Sequence, residues 1–169
     1  MRILSHPNPV LKQRAEEVDP PGDASLGELA AEMGRTMREA PGVGLAAPQI
    51  GVLKRVIVFD VDERVIAMCN PVVVERSEDQ EVDEEGCLSL PGITVPVPRS
   101  VHVACEGLTV AGKPVRIEGQ GLLARVLQHE IDHLDGTLIL DRASPEDRKA
   151  ALRRYNELCA SAEAPAEGT

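Results

Sequence analysis

Two histidines one helical turn apart with a carboxylate between them, His129-Glu130-Ile131-Asp132-His133, are the residues of this chain most suited to chemistry. On an α-helix, positions i and i+4 share a face, so both imidazoles can ligate one ion. Glu130 is turned by about 100° from His129 and is better placed to reach a water beside that ion than to act as a third ligand. Cys87 is the strongest candidate for the third ligand, because Gly86 before it in Glu85-Gly86-Cys87-Leu88-Ser89 permits close backbone approach. One thiolate with two imidazoles suits Zn(II), and also Fe(II), Co(II) or Ni(II).

These residues need a scaffold, and the pattern of the chain outlines one. A capping box of Ser25 and Glu28, with Leu26, Leu29, Met33 and Met37 at helical spacing, predicts a first helix over 25–38. The segment Gly42-Val43-Gly44-Leu45-Ala46-Ala47-Pro48-Gln49 reads as a loop that lets backbone come close to another group. Short β-branched runs at 56–59, 65–68, 72–74, 95–97, 101–104 and 115–117 read as strands. Pro96 and Pro98 make the fourth of these an edge or irregular strand. The acidic run 78–85 reads as a solvated loop.

A second helix is predicted over 121–134, apolar around most of its girth with only Arg125, Gln128 and Asp132 as a polar face; such a helix belongs at the centre of a fold. A third opens at Ser144-Pro145-Glu146 and runs to about residue 160. The expectation is an α+β fold, with antiparallel sheets packed around a central metal-binding helix and flanked by N-terminal and C-terminal helices. Residues 1–163 are expected to form a single catalytic domain and 164–169 a flexible tail.

Composition narrows the function. A net charge of −10 argues against DNA and anionic membrane surfaces as partners. Cys69, Cys87, Cys105 and Cys159 lack paired C-x-x-C spacing, and neither a signal peptide nor a membrane span is read, so a cytoplasmic protein with reduced thiols is expected. With one Phe, one Tyr and no Trp, the core must be built from aliphatic residues.

The three segments together closely resemble the peptide deformylase family: 42–49 matches G-x-G-x-A-A-x-Q, 85–89 matches E-G-C-L-S, and 129–133 matches H-E-x-D-H. The resemblance extends over nearly the whole chain, in the bacterial form with a helical C-terminus. It implies hydrolytic removal of the formyl group from the formyl-methionyl N-termini of nascent proteins, releasing formate. It implies Cys87, His129 and His133 as metal ligands, Glu130 as general acid/base, and Gln49 with the Leu88 backbone N–H as oxyanion donors. Walls for the methionine side chain are implied at Val43, Leu88, Leu122 and Val126, with Gly44 letting substrate backbone bind extended. Arg125 departs from relatives with an apolar residue there; its stem is expected at the pocket rim with its charge in water. One divalent ion per chain is implied, Fe(II) in cells, with Zn, Ni or Co in preparations.

An ion pair between Glu85 and Arg99 is expected to steady the Cys87 loop, and Asp132 is expected either to support the site or to face solvent. The basic residues of the last helix, Arg148, Lys149, Arg153 and Arg154, are read as a solvated face or, following the resemblance, as a contact with the ribosome. Two other functions compete. A H-E-x-x-H peptidase would cleave ordinary peptide bonds, which the cysteine ligand and Gln49 argue against. A non-catalytic metal-binding or ribosome-interaction module would be expected to have lost Glu130 or Gln49.

Overall fold

In the computed structural model, residues 1–19 and 24–163 are described. Strand β2 (Val56–Val61) shows why the sheet lies where it does. Its side chains alternate between faces, so Val56 and Val58 enter one apolar cluster while Ile57 and Phe59 enter another. The first cluster contains Leu26, Ala30, Met33 and Met37 of helix α1 (Ala24–Glu39). The second contains Ala124, Leu127, Ile131 and Leu134 of helix α2 (Gly121–Leu134). The sheet is thus sandwiched between the two helices and buried on both sides, which explains its continuous apolar runs.

That sheet has five antiparallel strands in the order β1 (Gly44–Ala46), β2, β3 (Arg64–Arg76), β6 (His102–Leu108) and β7 (Pro114–Gln120). Two of the expected strands, at 65–68 and 72–74, merge into the long β3, whose pairing with β6 is shifted between Cys69 and Val72 and again between Val73 and Glu75. A separate antiparallel ribbon joins β4 (Gln80–Gly86) to β5 (Thr94–Ser100). In this two-stranded ribbon, Pro96 and Pro98 do lie on an edge strand, as their missing donors require. Val95 and Val97 of β5 pack with Ile139 and Leu140 of α3 (Ile139–Arg142) and with Ala151 and Tyr155 of α4 (Pro145–Glu163).

Three expectations are corrected, and one element was not foreseen. The acidic run is strand β4, with a ladder from Gln80 opposite Ser100 to Gly86 opposite Thr94; water on both faces of the strand hid the alternation. The Gly/Ala segment is no open loop: β1 pairs with β2, and Ala47–Ile50 forms a 3₁₀ turn. Helix α1 begins at Ala24, so Ser25 stands in its first turn rather than at the cap. The short α3 was not foreseen, since four residues carry no helical period. Helix α2 spans the expected 121–134, with Gly136 just beyond its end at φ 71°. In α4 the Ser144 hydroxyl accepts the Asp147 N–H at 3.1 Å, the expected cap. The tail expected at 164–169 lies outside the described residues.

Candidate metal centre

Buried in the middle of the molecule, α2 carries its histidines inward: His129 is 8% and His133 1% exposed. Cys87, in the turn after β4, comes up beside them. Its Sγ lies 3.4 Å from His133 Nε2, and the two Nε2 atoms are 3.2 Å apart. The three donor atoms all fall within 4.8 Å of one another. Metal–nitrogen bonds of about 2.0–2.1 Å and a metal–sulfur bond of about 2.3 Å in a tetrahedron require separations of about 3.3–3.6 Å. The two shorter separations therefore match the edges of a tetrahedral coordination shell, and the donor set fits a divalent ion.

His129 is oriented from behind. Its Nδ1 faces Glu85 Oε1 at 2.5 Å, which leaves Nε2 to point toward Cys87 and His133. Glu85 is the hub of a buried network: Arg99 donates to it through Nε (3.2 Å) and Nη2 (2.8 Å), and Arg125 through Nη1 (2.8 Å). Burial opposes its charge, but His129 and Arg99 outweigh that and hold the carboxyl far below its ordinary range. Arg99 also donates to Asp132 at 2.6 Å, and Arg142 grips the same carboxylate at 3.0 and 2.8 Å. The expected Glu85–Arg99 pair is present, and Asp132 supports the site rather than facing solvent.

The polar face of α2 is accordingly turned to the β4–β5 ribbon instead of water. Gln128 accepts the Ser100 N–H and donates to the Ser100 carbonyl, at 3.1 and 2.9 Å, as a neighbouring strand would. Arg125 corrects its expectation: besides Glu85 it donates to the Val97 and Glu81 carbonyls, at 2.9 and 2.8 Å, so its charge is not in water. Arg125 also lines the cavity.

Glu130 occupies the other side of the histidine pair, with Oε2 4.0 Å from His129 Nε2. Its Oε1 is buried with no hydrogen-bond partner among the described residues. Burial pushes this carboxyl up to about 7, against the pull of the His129 charge. A Cβ on Gly44 would meet Glu130 Oε2 at 2.5 Å, so only glycine leaves space for that side chain. Gln49 is held at both ends of its amide: Oε1 accepts the Ala46 N–H at 2.9 Å, while Nε2 donates to Ser89 Oγ at 3.1 Å and faces Cys87 Sγ at 3.7 Å. The Leu88 backbone N–H has no acceptor among the described residues.

A cavity of about 720 Å³ opens onto this group. Val43, Gly44, Leu88, Leu122 and Val126 all line it, together with Gln49, Cys87, His129 and Glu130; His133 lies behind them. Val43 and Leu122 are 49% and 67% exposed, whereas Val126 is buried. The remaining cysteines, Cys69, Cys105 and Cys159, are free thiols away from the cavity. Sequence reasoning paired Glu85 with Arg99 but missed its contacts with His129 and Arg125, and it gave Ser89 no role.

The chain is similar to known proteins over the same span. Residues 1–149 match the sequence model of the family described as polypeptide deformylase. The peptide deformylase of Acidothermus cellulolyticus is 49% identical over 150 residues, covering 89% of this chain and 82% of that one. That of Thermodesulfovibrio yellowstonii is 45% identical over 160 residues, 92% and 96% of the two chains. The solved structure of the Legionella pneumophila peptide deformylase superposes with a TM-score of 0.89 at 42% identity, covering 97% of this chain and 98% of that one. For the Thermus thermophilus enzyme the TM-score is 0.86 at 40% identity, with 94% and 95% covered. The chain therefore belongs to the peptide deformylases, metal-dependent hydrolases that remove the N-terminal formyl group from nascent polypeptides.

Proposed function

We propose that residues 1–163 act as one catalytic domain in which Cys87, His129 and His133 hold the ion, Glu130 moves the proton, and Gln49 with the Leu88 N–H receives the oxyanion. The observation that carries this reading is the meeting of three metal-type donors with a buried, unpartnered carboxyl at one cavity. A divalent ion in this set would acidify water toward neutral pH and polarise the formyl carbonyl.

Glu130, with a carboxyl near neutrality, takes the proton of the attacking water and returns it to the departing α-amine. Gln49 Nε2 can turn one N–H from its long contact with Cys87 Sγ toward the developing oxyanion, while Ser89 and Ala46 keep the amide in place. Losing such a donor costs about 10²–10³ in rate. Val43, Leu88, Leu122 and Val126 receive the methionine side chain. Strand β1, at the edge of its sheet, has β2 as its one strand partner among the described residues, leaving a side to pair with an extended substrate backbone beside Gly44. A formyl carbon bears only hydrogen, so the confined space around Gly44 and Glu130 excludes the methyl of an acetyl group.

Release of formate from formyl-Met-Ala-Ser by the metal-loaded protein tests this reading, with Glu130→Gln expected to abolish turnover while retaining the ion. Cleavage of the unformylated peptide would favour a H-E-x-x-H peptidase instead. Fe(II) is the ion proposed for the cell, in keeping with the soft thiolate, and metal analysis after anaerobic purification tests it. Among the described residues no helix is long and apolar enough to cross a membrane, and action in the cytoplasm on emerging chains is proposed. Ribosome docking would fall to Lys149 and Arg153, which have no partner among the described residues, because Arg154 donates to the Thr94 carbonyl and Arg148 to Asp141. Charge reversal at Lys149 and Arg153 should then weaken co-sedimentation with ribosomes.

A further inference from the structure

A second cavity, of about 440 Å³, lies behind α2, away from the candidate metal centre. Five arginine side chains line it against three carboxylates, a local excess of positive charge in a chain of net charge −10. Three of the five are committed. Arg55 pairs with Asp135 at 3.0 Å, Arg99 with Glu85 and Asp132, and Arg142 with Asp132. Arg14 and Arg76 are different: both are exposed, and neither side chain has a hydrogen bond or ion pair among the described residues. The third carboxylate, Glu17, is exposed and likewise without a partner among them.

The shape of β3 puts Arg76 there. Its two register shifts against β6 flank Val72 and Val73, and such irregularities bend a strand and re-aim its side chains. Val72, 57% exposed, forms with Pro71 and Pro98 an apolar stretch of the same cavity wall. A pocket with two unpaired guanidinium groups, a third on Arg142 half-exposed, and an apolar side has the recognition chemistry for an oxyanion, since the guanidinium fork matches phosphate bidentately.

We propose that this cavity binds a phosphate-bearing small anion, held by Arg14 and Arg76. Free phosphate and an organic phosphate monoester share that chemistry; a monoester would place its organic group against Val72 and Pro98.

The test uses the zinc-loaded full chain, titrated with inorganic phosphate and with phenyl phosphate and followed by calorimetry and backbone-amide NMR. Saturable binding is expected, with shifts at Val72, Arg76 and Gln80, and the Arg14→Ala/Arg76→Ala pair should weaken it at least tenfold while leaving formate release unchanged. Equal affinities would assign the site to the free anion, and tighter phenyl phosphate binding to an ester. No saturation at millimolar ligand, shifts confined to the Cys87–His129 cavity, or undiminished binding in the double variant would overturn the proposal. The Arg14→Lys/Arg76→Lys pair, which keeps charge but loses the fork, is the second arm: affinity equal to that of the parent chain would also overturn it.

Discussion

Gly44 and Glu130 touch where a side chain on residue 44 would not fit: a Cβ there would lie 2.5 Å from Oε2, 2.9 Å from Cγ and 3.0 Å from Cδ of the carboxylate. Backbone at β1 therefore sets the position of the proposed proton carrier on α2. Gly44→Ala should displace Glu130 by a large fraction of an ångström and lower kcat by about 10²-fold, since misplacement on that scale costs this much. Metal content should stay at the parent level. A variant with unchanged kcat would show that Glu130 tolerates the shift.

Glu85 orients His129, so its charge should be felt at the ion. Glu85→Gln keeps the shape but weakens the bond to Nδ1 and leaves Arg99 and Arg125 facing a neutral group. Metal affinity should fall about 10–100-fold, as commonly follows loss of a partner behind a ligand. Competition with a chelator measures it.

Arg125 ties α2 to the ribbon through one carboxylate and two backbone carbonyls. Arg125→Leu should lower stability by about 1–3 kcal/mol, because the acceptors on Glu85 and Val97, both buried residues, lose their donor. A smaller midpoint in urea with an unchanged slope would report this.

Asp141 gives a pH dependence outside the metal centre. Burial pushes its carboxyl up, but the Leu138 N–H, Lys12 and Arg148 outweigh burial and hold it below 3.8, the ordinary value. A carboxyl depressed by folding contributes stability that is complete above the unfolded-chain value and disappears as pH falls through the folded one. Urea midpoints of the parent chain should therefore drop on going from pH 5 to below 3.8, and Asp141→Asn should flatten that drop. Equal slopes in both proteins would exclude the contribution.

Much of the site was legible because its chemistry rests on residue types that cannot be exchanged. His129 and His133 show their common face by helical spacing, Cys87 stands out beside Gly86, and Gln49 was named only through the family resemblance. The network behind them was harder to see. Arg125 was expected with its charge in water and Gln128 only as part of a polar face; here they meet Glu85, Val97 and Ser100 on a ribbon distant in sequence. Strand β4 was hidden for the opposite reason, since it is exposed at every position from Gln80 to Glu84, so it shows no alternation and its acids mimic a loop.

The large cavity has unequal sides. Toward the ribbon, ion pairs and carbonyl contacts through Arg125 and Arg99 make any outward swing costly, because it would strand the Glu85 charge. Toward Val43 and Leu122 the lining is aliphatic and open to solvent. The proposed walls for the methionine side chain at Val43 and Leu122 thus stand on the yielding, greasy lip, while the opposite bank is braced by charge.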